Sequence, residues 1–371
     1  MTIDKLRLFY KNKKVLITGH TGFKGSWLCL LLKSLEADVY GYSLDAPTNP
    51  SLFELCNIKS MIKHFNGDIR DLNVLKSVFD EVKPEIVIHM AAQPIVRDSY
   101  KEPVYTYDVN VMGTVNILEC IRLTESVKSF VNVTTDKVYL NRELNLPFKE
   151  DEELCGFDPY SNSKSCSELV TYSYKNSFFG GDSGKMKDGR VVSISTCRAG
   201  NVIGGGDFAN DRIIPDCVRA IEAGEDIIVR NPYSIRPYQH VLEPLFVYLS
   251  VAMEQYDNPS FSGAFNVGPN DSDCITTGDM VTYFCDKWNS YQKQNGGNNS
   301  NASWKCLSDN GPHEAAFLKL DSSKVRNALN WSPRWSISES LDKIVEWTDA
   351  YLAHKDILDI TMKQIDDYLI S

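Results

Sequence analysis

Residues 14–37 read KVLITGHTGFKGSWLCLLLKSLEA, and this stretch decides the fold. A short β-branched run ends at a turn that contains Gly19, Gly22 and Gly25, and an apolar segment typical of a buried helix follows. A glycine turn between a strand and a helix lets the backbone approach a pyrophosphate at the helix N-terminus. The stretch therefore predicts a dinucleotide site, although glycines at this spacing also serve turns and packing alone.

The alternation of strand and helix continues along the chain. Strands are predicted at residues 38–44, 85–92, 129–135 and 191–202, and helices at residues 72–82, 109–123 and 159–178. Strands that alternate with helices pair in parallel through right-handed crossovers. The predicted fold class is α/β, with a doubly wound parallel Rossmann sheet in residues 1–203. Residues 204–371 are predicted to form mainly a smaller substrate-binding lobe, with some segments returning to the sheet.

The composition excludes several classes of protein. With 371 residues, 43% hydrophobic and 24% charged, the chain has enough apolar side chains for a large core. Lys and Arg total 39 against 49 Asp and Glu, and the net charge of −10 disfavours binding to nucleic acid. The apolar runs at residues 26–32 and 241–253 are too short or too interrupted to span a membrane. Since no export signal is recognised, we expect a cytoplasmic protein.

The spacing of cysteine and histidine bears on metal binding. The ten cysteines include no Cys-x-x-Cys pair, and the six histidines form no His-x-x-x-His pair. We therefore expect no metal site and interpret the cysteines as reduced, mostly buried residues.

The charges near the second strand indicate which dinucleotide binds. Asp45 lies twenty positions after Gly25, where a carboxylate binds the ribose 2′-hydroxyl of NAD. No Lys or Arg occurs between Lys33 and Lys59, so the 2′-phosphate of NADP would find no local partner. The sequence therefore favours NAD. Asp68 is placed either to reach the adenine edge or to cap the following helix.

Two clusters of polar residues carry the candidate chemistry. Tyr160 and Lys164 stand four apart at the start of a predicted helix, so they share a face, and the ammonium is expected to lower the pKa of the tyrosine. Residues 134–137, TTDK, end a strand at the sheet edge where such folds place their chemistry. A tyrosine four residues before a lysine is common by chance, but its combination with TTDK and the glycine turn favours a catalytic pair.

The chain is similar over most of its length to the nucleotide-sugar members of the extended short-chain dehydrogenase/reductase superfamily. The similarity rests on strings in the order and spacing of that family: GHTGFKG, NGDIRD, HMAAQP, TTDK, YSNSK, RAGNVIGGGD and RPYQHVLEP. SLDAPTNPSLF and RNPYSIRPYQHVLEPL resemble the members that act on CDP-glucose. The resemblance implies a lyase that eliminates water from CDP-glucose by internal hydride transfer through bound NAD.

The resemblance also implies catalytic roles. Tyr160 would take the proton of the sugar 4-hydroxyl, Thr135 would hydrogen-bond the 4-oxygen, and Lys164 would orient the nicotinamide ribose. Asp136 would protonate the departing 6-hydroxyl, and burial beside the substrate would raise its pKa for this purpose. Lys137 stands where related dTDP-glucose dehydratases carry a glutamate. It is either a neutral base that removes the C5 proton or a charged group that stabilises the enolate.

The predicted binding residues form a larger set. Those assigned to the cofactor are Gly19, His20, Thr21, Gly22, Phe23, Lys24, Gly25, Asp45, Asp68, Ile69, Ala91, Ala92, Gln93, Thr134, Tyr160 and Lys164. Those assigned to the substrate, whose diphosphate suits guanidinium groups, are Asn201, Arg212, Arg236 and Asn266. His240 is more often a packed residue than a base, and Arg97 fits a surface ion pair as well as a place near the site.

Other functions are compatible with the same residues. One is another nucleotide-sugar 4,6-dehydratase or a 4-epimerase, although an epimerase needs no acid such as Asp136. A reading of a different class is a non-catalytic NAD-binding scaffold. By resemblance we expect a homodimer or homotetramer formed through residues 109–123 and the helix that carries YSNSK. The same resemblance implies a product that feeds the dideoxysugars of bacterial surface polysaccharide, such as lipopolysaccharide O-antigen.

Overall fold

A seven-stranded parallel sheet forms the centre of the protein. The computed structural model describes residues 2–144, 146–296, 301–307 and 317–371. Numbered along the chain, the strands of this sheet are β1 (Lys14–Thr18), β2 (Asp38–Ser43), β3 (Lys63–Asn66), β4 (Ile86–His89), β5 (Ser129–Thr135), β6 (Ser193–Ala199) and β11 (Ala264–Val267). Their spatial order is β11-β6-β5-β4-β1-β2-β3, with every neighbouring pair parallel. The predicted doubly wound α/β sheet is confirmed.

Helices cover both faces of this sheet, because alternate residues of each strand enter two different cores. In β1, Val15 and Ile17 enter one core, whereas Leu16 enters the other. The helices of the first half are α1 (Ile3–Tyr10), α2 (Phe23–Ser34), α3 (Leu52–Leu55), α4 (Leu72–Val82), α5 (Val96–Lys101), α6 (Pro103–Tyr107), α7 (Gly113–Leu123) and α8 (Pro159–Phe178). A π-helical turn, Asp108–Met112, joins α6 to α7.

The second half of the chain builds most of a smaller lobe from helices and three two-stranded ladders. Its helices are α9 (Ile213–Ala223), α10 (Leu242–Tyr256), α11 (Thr277–Gln294), α12 (Ser323–Leu329), α13 (Ile337–Leu352) and α14 (Ile357–Ile370). The ladders pair β7 (Val202–Ile203) with β10 (Gln239–His240), β8 (Ile227–Val229) with β13 (Trp304–Cys306), and β9 (Ile235–Pro237) with β12 (Cys274–Thr276). The boundary at residue 203 stays a prediction.

Helix α10 packs on the central sheet and strand β11 is part of it. In the chain, both come after the first segments of the second lobe. All residues of α10 except Glu254 are buried. The helix is fixed to the sheet because Ser129 Oγ donates to the Ala252 carbonyl (2.8 Å) and Gln255 Nε2 to the Phe130 carbonyl (2.9 Å). The apolar run 241–253 is therefore a core helix. Within the described ranges, no helix has both the length and the apolar character that crossing a membrane requires.

A buried carboxyl group ties the C-terminal helix to α10. Glu243 accepts hydrogen bonds from the backbone N–H groups of Arg334 and Trp335 (both 2.8 Å), and the Tyr368 hydroxyl lies 2.8 Å from its other oxygen. Burial raises the pKa of Glu243 to about 7, and these hydrogen bonds oppose the rise.

Glu243→Gln is expected to stabilise the protein above pH 7. Since the folded-state pKa lies above the unfolded value, stability is lost as pH rises from about 4 to about 7, by on the order of 3 kcal/mol. Glutamine resembles the protonated carboxyl group and does not ionise. The variant should therefore keep its stability as the pH rises. Urea unfolding at pH 4 and pH 8 measures this loss of stability. A variant that keeps the wild-type pH dependence would show that Glu243 is not its source.

Candidate active site

The turn after β1 brings backbone atoms of neighbouring strands into very close contact. Gly19 has a φ of +75°, and a Cβ atom there would lie 2.7 Å from the backbone nitrogen of Ala91. A Cβ atom at Gly25 would lie 2.2 Å from the Gly19 carbonyl oxygen. Only glycine fits these positions, and we call the backbone of residues 19–25 at this sheet edge the cradle.

Helix α2 starts at this cradle with its first N–H groups available. Among the described residues no side chain caps the helix at Gly22. Thr21 fixes the turn to the end of β2, because its hydroxyl donates to the Leu44 carbonyl (2.9 Å). Phe23 faces the second lobe, where a Cβ atom at Gly204 would lie 3.1 Å from its ring. Uncapped N–H groups at a glycine turn suit a pyrophosphate, so the cradle fits a dinucleotide.

The two predicted carboxylates lie beyond β2 and β3. Asp45 is exposed and accepts a hydrogen bond from Asn66. Asp68 forms an ion pair with Arg70 (2.7 Å), and the side chain that caps α4 is Asp71. The alternative that Asp68 is a helix cap is therefore wrong.

Two further predicted cofactor residues lie below the turn. His20 is buried, and its Nε2 lies 2.7 Å from Nδ1 of His64. Burial and the charge of His64 lower the pKa of His20 to about 3, so the ring is neutral. Ile69 is buried against Gly113, where a Cβ atom would lie 2.7 Å from its side chain. Both side chains are therefore buried inside the protein.

Just after β4, beside the glycine turn, lie Ala91, Ala92 and Gln93. The backbone N–H of Ala91 donates to the Thr18 hydroxyl (3.2 Å), and that of Gln93 donates to Asn110 Oδ1 (2.8 Å). The structure therefore brings these predicted residues to the same sheet edge as Gly19.

At the end of β5, three consecutive side chains form a hydrogen-bonded chain. The Thr135 hydroxyl donates to Asp136 Oδ1 (3.0 Å), and the Lys137 ammonium lies 3.0 Å from the same oxygen. The Asp136 side chain is fully buried, and its Oδ2 has no hydrogen-bond partner among the described residues. A Cβ atom at Gly200 would lie 3.1 Å from this oxygen. One carboxylate oxygen is therefore left for a bound molecule.

The predicted lowering of the Tyr160 pKa by Lys164 is wrong in this structure. Burial raises the pKa of Tyr160, and the charge of Lys137 is the largest opposing effect, followed by a hydrogen bond with Thr135. Lys164 is buried and donates to the Val133 carbonyl (2.8 Å). Burial lowers the pKa of Lys164 to about 8, and the carboxylate of Glu168 opposes this.

The charges of four basic residues, Lys24, Lys137, Lys164 and Arg212, act on one another near Asp136. Burial lowers the pKa of Lys24 to about 7, and the positive charges of Arg212, Lys164 and Lys137 lower it further, whereas Asp136 raises it. Arg212 also lies 3.0 Å from Asp207. Like charges in a partly desolvated environment repel one another, and a bound polyanion relieves this repulsion. The pocket therefore fits a phosphorylated ligand.

Helix α8, which carries Tyr160 and Lys164, is anchored by an ion pair that was not predicted from the sequence. Arg198 on β6 binds Glu168 on α8 through two parallel hydrogen bonds (3.0 and 2.9 Å), and both side chains are buried. Thr134 and Thr196 donate to the same carboxylate. Glu168 stands one helical turn after Lys164, and that i,i+4 spacing was the available signal.

Asn266 occupies a different place from the one predicted. It is fully buried on β11, where its Oδ1 accepts from the Tyr139 hydroxyl (2.6 Å) and its Nδ2 donates to the Phe148 carbonyl (2.9 Å). Both polar ends of this amide are used inside the protein. The assignment of Asn266 to the substrate is therefore corrected to a structural one.

The remaining predicted substrate residues belong to the second lobe or border it. Arg236 is buried on β9 and donates to the Ile235 carbonyl (3.0 Å), whereas Asn201 lies partly exposed between β6 and β7. Arg230 was not predicted from the sequence, although it begins one of the family strings. Its guanidinium lies 2.6 Å from Asp211 Oδ1. Arg97 lies 3.7 Å from the same oxygen, so it takes part in an ion pair.

His240 is a packed residue, as the sequence favoured. Its ring lies edge-on between Trp27 and Trp335, with ring centroids 5.7 and 4.8 Å away. Burial lowers the pKa of His240 to about 3, and its Nδ1 accepts from the backbone of Leu242 (3.3 Å). A neutral ring in this setting supports the β10–α10 turn.

Residues 16–344 match the family model of the GDP-mannose 4,6-dehydratases. The chain belongs to this family of nucleotide-sugar dehydratases, as the resemblance to extended short-chain dehydrogenases/reductases predicted. A CDP-glucose 4,6-dehydratase of Salmonella typhimurium is 47% identical over 97% of this chain and 97% of its own. The dTDP-D-glucose 4,6-dehydratase of Mus musculus is 25% identical over 90% of this chain and 88% of its own.

Solved structures share the fold at low identity. A dTDP-glucose 4,6-dehydratase from Bacillus anthracis, in complex with NAD, has a TM-score of 0.71 and 21% identity, and the alignment covers 93% of this chain and 99% of that one. A UDP-glucose 4-epimerase from Thermotoga maritima has a TM-score of 0.73 and 20% identity, covering 91% and 99%. At such identities the likeness establishes the architecture.

Proposed function

We propose that the protein is a hydro-lyase that converts CDP-D-glucose into CDP-4-dehydro-6-deoxy-D-glucose and water with the help of bound NAD. The observation that carries this conclusion is the 47% identity to a CDP-glucose 4,6-dehydratase over nearly the whole of both chains. The site is consistent with it, because a buried carboxylate, Asp136, lies beside a tyrosine and two lysines. An epimerase would need no such acid.

The residues of the glycine turn are those that would hold NAD. The backbone at Gly19, Gly22 and Gly25 would bind its pyrophosphate, and Asp45, exposed just after β2, would accept a hydrogen bond from a ribose hydroxyl. Bound there, NAD would supply the hydride acceptor for the hydrogen at sugar C4 and the hydride donor to C6. The family relationship and the cradle both support this cofactor.

Residues of the chain itself accept and donate the protons of the reaction. Tyr160 accepts the proton of the 4-hydroxyl, while Thr135 hydrogen-bonds the 4-oxygen and Lys164 holds the cofactor's ribose. Asp136 protonates the departing 6-hydroxyl through the oxygen that no described residue binds. Lys137, paired with Asp136 in this structure, either removes the C5 proton or stabilises the enolate.

The sugar nucleotide would lie across the sheet edge towards the second lobe. Arg212 and Arg236 are the cations proposed for its diphosphate, with Asn201 beside them. Arg212 is well placed for this, because its charge acts on both Lys24 and Tyr160. The ten free thiols, most of them buried, suit a reducing cytoplasmic compartment.

We infer that two copies pair through helices α7 and α8. Leu123 on α7 and Leu169 and Tyr172 on α8 are 48%, 53% and 69% exposed, so both helices carry exposed apolar side chains. Burying such helices against a second copy gives a closed two-fold dimer.

Leu169→Glu combined with Tyr172→Glu is expected to leave a monomer of 41.9 kDa, because two carboxylates on α8 of each copy would be buried in the interface without partners. Analytical ultracentrifugation measures the mass. Leu8→Glu, on α1 and 80% exposed, is the control that should leave the assembly intact. A wild-type monomer, or dissociation by Leu8→Glu alone, would contradict the interface.

The function is tested by mixing the protein, with and without NAD, with CDP-glucose, dTDP-glucose, GDP-mannose and UDP-glucose in turn. Mass spectrometry then reports the loss of one water. Loss from CDP-glucose alone supports the proposal, and loss from another sugar assigns a different substrate. If no sugar loses water, the dehydratase is excluded, and epimerisation or non-catalytic NAD binding would be tested next.

A further inference from the structure

A buried histidine at the end of β4 lies between the start of the cradle and the helices on one face of the sheet. His89 is 1% exposed, and both nitrogens of its ring lie close to threonine hydroxyls. Nδ1 lies 2.7 Å from Thr18 Oγ1, and Nε2 lies 3.3 Å from Thr114 Oγ1. Thr18 directly precedes the cradle, whereas Thr114 lies on α7. The ring therefore connects these two parts of the molecule.

The hydroxyl of Thr18 determines which nitrogen of His89 carries the proton. This hydroxyl accepts hydrogen bonds from the backbone N–H groups of Met90 and Ala91 (both 3.2 Å). A hydroxyl has two acceptor positions and one proton, so the proton of Thr18 points to Nδ1 of His89, which must accept it. Ala91 is the residue whose backbone nitrogen leaves no room for a Cβ atom at Gly19. His89 thus orients the hydroxyl that holds Ala91 beside the cradle.

On the other side of the ring, Nε2 carries the proton of the neutral imidazole and donates to Thr114. The Thr114 hydroxyl donates its own proton to the Asn110 carbonyl (2.7 Å), and it lies 2.9 Å from the hydroxyl of Ser167. Because the proton of Thr114 is already used, Ser167 is the donor in this second contact. Ser167 lies on α8, so the line of hydrogen bonds that starts at the cradle ends on the helix that carries Tyr160 and Lys164.

The surroundings keep the ring of His89 neutral. Burial lowers its pKa to about 3, and the charge of Lys164 acts in the same direction. Protonation would also place a proton on Nδ1, opposite the proton of Thr18, and would leave that hydroxyl without its acceptor. A single neutral tautomer, with the proton on Nε2, therefore satisfies both threonines.

We propose that His89 is a positioning residue that holds the NAD cradle in a fixed relation to helix α8, and so to Tyr160 and Lys164. It acts through one hydrogen bond on each side, accepted from Thr18 and donated to Thr114. Hydride transfer needs the cofactor and Tyr160 in one geometry, so a shift between the cradle and α8 would slow it. The effect on turnover rests on the proposed dehydration, whereas the effect on NAD binding is independent of the sugar.

Two substitutions separate the two hydrogen bonds. In His89→Asn the amide oxygen can replace Nδ1, so the bond from Thr18 is kept and the bond to Thr114 is lost. In His89→Gln the amide nitrogen can replace Nε2, so the bond to Thr114 is kept and the bond from Thr18 is lost. Isothermal titration calorimetry, after bound nucleotide has been removed, should show that His89→Gln weakens NAD binding by about tenfold and His89→Asn by less than about threefold. With saturating NAD and CDP-glucose, His89→Asn should turn over about tenfold more slowly than the wild type.

His240→Gln is the matched control, because His240 is also a fully buried neutral histidine and lies outside this line of hydrogen bonds. It should leave the Kd for NAD unchanged within error. If it weakens NAD binding as much as His89→Gln does, or if both His89 variants change binding and turnover alike, only packing has been lost and the proposal is overturned.

NMR of the wild-type protein with ¹⁵N-labelled histidine tests the tautomer directly, and it decides the question if circular dichroism shows that a His89 variant is unfolded. Thr114→Ser keeps the hydroxyl and identifies the His89 signals by their displacement. At pH 7 the ring should be neutral with its proton on Nε2, whereas a charged ring or a proton on Nδ1 overturns the proposal. If mass spectrometry finds no water loss by the wild type, the proposed function has failed, but the tautomer and the NAD titrations still test His89.

Discussion

Tyr160→Phe is expected to lower the rate of water loss from CDP-glucose by about 10²- to 10⁴-fold. The 4-hydroxyl keeps its proton unless a base takes it, and every later step depends on the ketone formed at C4. In this structure burial raises the pKa of Tyr160, so the phenol must be brought to its reactive state by its neighbours, of which the charge of Lys137 has the largest effect. Mass spectrometry under single-turnover conditions measures the rate.

Tyr174→Phe is the matched control for this variant. It removes a hydroxyl from the same helix, α8, at a partly buried residue that packs against the core containing Leu16. Its rate should stay within a factor of two or so of the wild type, since its ring packing is kept. If Tyr160→Phe dehydrates CDP-glucose as fast as this control does, another group is the base.

Arg198→Met is expected to lower the free energy of unfolding by about 3–5 kcal/mol. The substitution leaves the carboxylate of Glu168 buried without its guanidinium, and the side chains of this ion pair are only 4% and 3% exposed. Tyr139 and the Glu150 carbonyl also lose a hydrogen bond from Arg198 (2.8 and 2.9 Å). Urea unfolding at pH 7 measures the loss.

Two further variants show whether buried charge is the cause. Glu168→Gln combined with Arg198→Met removes both charges and should recover part of the loss. Arg142→Met breaks an ion pair with Glu153 in which both side chains are 62% exposed, and it should change stability by no more than about 1 kcal/mol. Equal losses from Arg198→Met and Arg142→Met would contradict the argument.

The parts of the site that the sequence predicts are those set by local geometry. The glycine turn and the position of Tyr160 and Lys164 at the start of one helix depend on residues a few positions apart, and a short motif specifies them. The α/β order was readable for the same reason, because apolar periodicity is a local property. These features therefore follow from the sequence without knowledge of the tertiary fold.

The parts that the sequence misses depend on distant contacts. Asn266 is turned into the protein by Tyr139, which lies far away in the chain, and Glu168 is paired with a residue of another strand. The pKa of Tyr160 was predicted in the wrong direction because the effect of burial outweighs that of one neighbouring charge. Such effects require the packed structure.

The return of α10 and β11 to the central sheet has a consequence for biosynthesis. A ribosome that has released residues 1–203 has made six strands, but β6 is still an open edge and the face later covered by α10 is bare. At ordinary translation speeds, α10 and β11 are synthesised roughly 3–13 s later. During that interval the nascent chain exposes the surface most prone to aggregation, and chaperones would have the greatest effect then. The half that contains the glycine turn is synthesised first, but it can complete its fold only after the other half has been synthesised.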